Sequence, residues 1–97
     1  MLHATIASLW DAHRGEGWPT LTTPSQGQLM TLDTVISGCV VFFLDSPDGL
    51  DSQRVAIIQD CLADLDDLMD ELDSESKPYF LRLRHLGTLL IETAPAA

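Results

Sequence analysis

Residues Val35–Leu44 read VISGCVVFFL, and the fold turns on what they form. β-Branched and aromatic residues crowd the stretch, which is a strand's composition. Taken alone it fits a strand in a small α+β domain, because short apolar runs suit either element. The residues around it decide otherwise. Leu29, Leu32, Ile36, Cys39 and Phe43 recur at steps of three and four, the period of one helix face. Val35, Val40 and Phe42 broaden that face, and Gln28, Thr31, Asp33, Thr34 and Ser37 fill the remainder. A strand needs alternation, and the stretch lacks it. The spacing therefore predicts a helix over 24–44. Thr23 is placed to cap it, Pro24 suits the first helical position, and Gln26 completes a capping box. Gly38 costs such a helix about 1 kcal/mol relative to Ala, which suggests a second backbone passing close.

Downstream, Arg54–Asp73 (RVAIIQDCLADLDDLMDELD) predicts the longest helix, over 48–73. Val55, Ile58, Leu62, Leu65, Met69 and Leu72 line its seam, widened by Cys61 and Leu68. Its other side carries Asp60, Asp64, Asp66, Asp67, Asp70, Glu71 and Asp73. Ser46-Pro47 repeats the cap-then-proline pattern and places the start near Pro47. The acids near the C-terminal end oppose the helix dipole, and Asp60/Asp64 and Asp66/Asp70 are like charges four apart. Burying six seam residues, at about 1.5–3 kcal/mol each, outweighs these penalties. Asp45, Asp48 and Asp51 cluster beside Gly49. With that glycine at position six of a calcium loop, position one is Leu44, and the pattern fails.

Two shorter helices complete the chain. Over 2–13, Leu2, Ile6, Leu9 and His13 share a face, with Leu9 and Trp10 as the docking residues and Gly15 positioned for a left-handed stop. Trp18–Pro19 forces an extended pair in the following loop, and Trp18 is expected to lie over the end of the core. Over 76–92, Ser76 is placed to cap and Tyr79, Leu83, Leu86 and Leu90 form the seam, flanked by Phe80 and Leu89. Residues 93–97 read as a frayed tail. The expectation is one all-α domain over 1–97, a four-helix up-and-down bundle with short connections.

The 97 residues carry 15 acids against five lysines and arginines, a net charge of −10. That balance repels nucleic acid and anionic membrane and attracts basic protein surfaces. No uninterrupted apolar run exceeds six residues, far below the roughly 20 of a membrane span. No signal peptide is indicated, so a cytoplasmic location is the default expectation. Cys39 and Cys61 have no zinc spacing and read as buried free thiols. His3 and His13 stand too far apart along a helix to share an ion, and no HxxxH, HExxH or nucleophile-elbow motif occurs. No metal or cofactor is expected, nor is an enzyme. The leading expectation is a non-catalytic interaction protein. Asp60, Asp64, Asp67, Asp70 and Glu71 would contact a basic partner protein. Met30, Val41, Leu81 and Ile91 fall off their seams and suit a homodimer. The alternative is a small ligand- or metal-binding bundle with a pocket near Trp10, Trp18 and His85.

Overall fold

A computed structural model describes residues 2–46 and 49–94. Four α-helices follow in order: α1 (Leu2–Gly15), α2 (Gln26–Asp45), α3 (Ser52–Leu68) and α4 (Lys77–Glu92). A single 3-10 turn, Met69–Glu71, extends α3, and the described residues include no strand. The protein is all-α, and Val35–Leu44 is helical throughout. Its seam is as the period requires: Leu29, Leu32, Ile36, Cys39 and Phe43 are all buried.

Cross-helix partners fix the topology. His3 packs on Phe43 and His13 meets Asp33, so α1 and α2 run antiparallel. Leu29 and Leu32 share a cluster with Leu65 and Leu68, whereas Phe43 lies with Ile58, so α3 reverses again. Arg84 binds Asp66 and Gly87 faces Leu62, which makes α4 antiparallel to α3. The bundle is up-and-down, with α2 and α4 back to back in the middle and α1 and α3 on either side of them. Its extents are 39 × 25 × 16 Å. The core has two halves. One surrounds Phe80, Leu83, Leu65 and Ile36, and the other surrounds Leu86, Leu90, Ile58 and Ile6. Leu62 packs against both.

The crowded glycine is Gly87, not Gly38, and what crowds it is side chains of α3 and not a second backbone. A Cβ at Gly87 would stand 3.0 Å from a Leu62 methyl, whereas nothing lies within 4 Å of one at Gly38. The buried seam of α3 is Ile58, Cys61, Leu65 and Leu68, continued by Leu72. Val55, Leu62 and Met69 are only half-buried. Both stripes have a helical period, and contact with α2 as well as α4 turns the helix toward the first. In α1 the buried residues are Ile6 and His13, with Leu9 and Trp10 half-buried.

The helix ends depart from expectation for local reasons. Helix α3 begins at Ser52 rather than near Pro47, which with Asp48 lies outside the described residues. Gly49 takes a left-handed φ of 97° and Leu50 is buried. Asp51 then caps the helix by accepting the Arg54 N–H at 2.8 Å. At the other end the acids oppose the dipole, and the last turn tightens to 3-10. Thr23 does not cap α2. Its hydroxyl oxygen accepts the Ser25 N–H at 2.9 Å, forming a local turn that delays the helix to Gln26. Ser76 makes no capping bond. Asp73 serves instead, accepting the N–H groups of Glu75 and Ser76 at 3.0 and 2.8 Å. Gly15 is not left-handed and belongs to α1. Of the expected frayed tail, Thr93 and Ala94 are tied to Leu90 and Ile91, and 95–97 lie outside the described residues.

Candidate functional site

Asp60, Asp64, Asp67 and Asp70 are all exposed on α3 and its 3-10 extension. Their spacing of four, three and three keeps them on the side turned away from Ile58, Cys61, Leu65 and Leu68. None pairs with a Lys, Arg or His among the described residues. The chain's arginines are committed elsewhere. Arg14 binds Asp11, Arg54 binds Asp51, Arg82 binds Glu16 and Arg84 binds Asp66.

The acids around this strip do internal work. Asp66 accepts from Arg84 at 2.6 and 3.2 Å, and that hydrogen bonding holds its carboxyl below the usual range. Asp73 is held low as well, chiefly by the Ser76 N–H it accepts. Glu71 accepts the hydroxyls of Thr23 and Ser25 at 2.8 and 3.1 Å, tying the end of α3 to the segment that leads into α2. The open strip is therefore Asp60, Asp64, Asp67 and Asp70, with Glu71 at its edge already engaged.

The Trp10–Trp18–His85 pocket does not form as a unit. Trp10 and Trp18 join one run of rings, but through His13 and Tyr79. His85 is exposed and takes no part. The centre of this run is His13, a residue the sequence places on the α1 face without assigning it a partner. It is 2% exposed. Its Nε2 lies 3.0 Å from Asp33 Oδ1, and its Nδ1 accepts from Arg82 Nε at 3.3 Å. Since Nδ1 accepts, the ring proton sits on Nε2 and is donated to Asp33. Tyr79 donates to the same Asp33 oxygen at 3.1 Å, and Arg82 continues to Glu16. Burial, then the Asp33 charge, pushes the Tyr79 hydroxyl well above its ordinary value. Trp18 meets Tyr79 and Phe80 edge-on at 5.6 and 5.7 Å, the expected lid, though 39% exposed.

No buried side-chain polar atom among the described residues lacks a partner. No cluster of three His, Cys, Asp or Glu among them could hold a metal ion. Both thiols are free and buried, and burial pushes each upward. No protein-family profile, characterised protein or solved structure matches the chain, so the meaning of the site rests on its own residues.

Proposed function

We propose that the protein is a non-catalytic interaction module in which the acidic face of α3 captures a basic protein partner. One observation carries the reading: Asp60, Asp64, Asp67 and Asp70 stand exposed and unpaired while every arginine already holds another acid. No arginine is left within the chain for that strip, and a basic partner would supply the cations it lacks. Four carboxylates along about 15 Å of one element suit a lysine- or arginine-rich segment. Such a contact speeds encounter and weakens as salt screens it.

The test is fluorescence anisotropy with a labelled lysine-rich peptide at low and raised salt. Reversal of two acids, Asp64→Lys with Asp67→Lys, is expected to weaken binding at least about tenfold at low salt. Thermal stability should be unchanged or higher. The same net-charge change made by Asp11→Lys with Glu92→Lys should have a much smaller effect. Equal binding by the α3 double variant and the wild type ends this reading.

A further inference from the structure

α2 is apolar enough along its length to span a membrane by composition, yet only six of its 20 residues are buried. The helices α1, α3 and α4 cover one side of it. The open side carries Met30, Thr34, Ser37 and Val41, with Gly27 and Gly38 beside them. Met30 and Val41 are 48% and 44% exposed. From Gln26 to Leu44 the one ionisable side chain that carries charge at neutral pH is Asp33, turned to the α1 side and bound to His13. The Thr31 and Thr34 hydroxyls donate to the Gly27 and Met30 carbonyls of their own helix at 3.1 and 2.9 Å. Those two hydroxyls are thus already satisfied, and covering them costs little. A shallow groove of about 380 Å³ runs beside Met30, lined by Gly27, Thr31, Thr34 and Val35.

The spacing of the open face is symmetric. Met30, Thr34, Ser37 and Val41 follow steps of four, three and four, a heptad seam. The sequence numbers of Met30 and Val41 sum to 71, as do those of Thr34 and Ser37 and those of Gln26 and Asp45. A second α2 laid antiparallel about the point between residues 35 and 36 sets Met30 on Val41 and Thr34 on Ser37. Large then meets large only at the outer layers, and small meets small at the centre. At its ends the pair brings Asp45 of one copy toward the other copy's α2 N-terminus, where Glu71 already holds Thr23 and Ser25, so the contact rests on its uncharged centre and not on its ends.

We propose that this face joins two copies of the chain through an antiparallel α2–α2 contact, and that the occupant of the groove is the second copy. For a chain of net charge −10, this uncharged strip is where two copies meet with least repulsion. The proposal stands apart from the acidic-face reading. The twofold axis sets both α3 helices along the same edge, so salt strengthens the dimer while weakening capture of a basic peptide. One helix pair about 30 Å long is a small interface, and a Kd of roughly 10 μM is expected.

Sedimentation equilibrium from micromolar to near-millimolar concentration tests it. The wild type should show a monomer–dimer equilibrium that tightens with salt. Thr34→Arg, which sets two like charges at the centre, should weaken it roughly a hundredfold. Its circular dichroism and Tm should be retained, because Thr34 is exposed. Asp64→Lys with Asp67→Lys should leave the dimer intact. Orientation is read by oxidative cross-linking: M30C mixed with V41C should form the intermolecular disulfide, and M30C alone should not. A monomer at every concentration overturns the proposal, as does a dimer indifferent to Thr34→Arg or an efficient M30C–M30C cross-link. A monomer that partitions onto neutral lipid vesicles would assign the face to a membrane instead.

Discussion

The polar side chains where α1 meets α4 and the acids along α3 are both out of place in a simple apolar bundle, but they are resolved differently. At the first, His13, Asp33, Tyr79, Arg82 and Glu16 come from three helices and a loop and satisfy one another. At the second, Asp60, Asp64, Asp67 and Asp70 find no cation among the described residues. The difference is one of geometry. Residues facing a neighbouring helix can be completed within the fold, whereas those pointing outward are completed only by water or another molecule. A group's partners within the chain therefore separate stabilising charge from charge available for recognition.

The contrast breaks most directly at His13. Replacing it with leucine removes an acceptor from Arg82 and a donor from Asp33, both largely buried. Leaving buried polar groups short of partners costs about 1–3 kcal/mol, and the change in ring shape adds to it. His13→Leu should therefore lower unfolding free energy by about 2–3 kcal/mol in urea titrations. A loss below about 0.5 kcal/mol would mean that the network merely occupies space.

Tyr79 gives a smaller effect with a pH signature. Tyr79→Phe leaves the ring stack in place and removes one hydrogen bond, at a cost of about 1 kcal/mol near neutrality. In the wild type the folded hydroxyl titrates above its unfolded value, because burial and the Asp33 charge disfavour the phenolate. Stability from this group is therefore complete below about pH 10, the unfolded value. It is lost as pH rises from there toward the folded value. Chemical denaturation between pH 8 and about 11 should show wild type and Tyr79→Phe converging. Parallel curves would mean that neither burial nor the Asp33 charge raises the hydroxyl in the folded state.

Most of the architecture is legible in the sequence because helical period survives without knowledge of neighbours. Leu29 to Phe43 and Tyr79 to Leu90 are buried where their spacing puts them. What the period leaves open is which of two adjacent stripes faces inward. On α3, Ile58 and Leu65 are at the centre of the buried arc, Cys61 and Leu68 are buried on one side of it, and Val55 and Met69 lie half-buried at the other margin, a choice made by the positions of α2 and α4. His13 was discoverable in part, since it continues the Leu2–Ile6–Leu9 face. Its partners lie 20, 66 and 69 residues away, and nothing local ties Asp33, Tyr79 and Arg82 to it. Glu71 is a similar case. It belongs to an acidic run, but its hydrogen bonds go to Thr23 and Ser25 across the bundle. The four open aspartates are the part of the site legible from the start, because exposure on the polar side of a helix requires no knowledge of tertiary pairing.

The smallest expected effect belongs to those aspartates, and its sign matters more than its size. Asp60 and Asp64 are like charges one turn apart, and Asp67 lies three residues beyond. Such pairs destabilise a helix by about 0.2–0.5 kcal/mol each. Replacing all three with Asn removes that repulsion with little change in helix propensity and no internal partner to lose. The triple variant should gain a few tenths of a kcal/mol at low salt, and the gain should vanish as salt screens the wild type. The same variant should bind a lysine-rich peptide poorly. A loss of more than about 1 kcal/mol would show that these carboxylates, like Asp66 and Glu71, are held within the fold. The distinction between the closed network and the open face would then disappear.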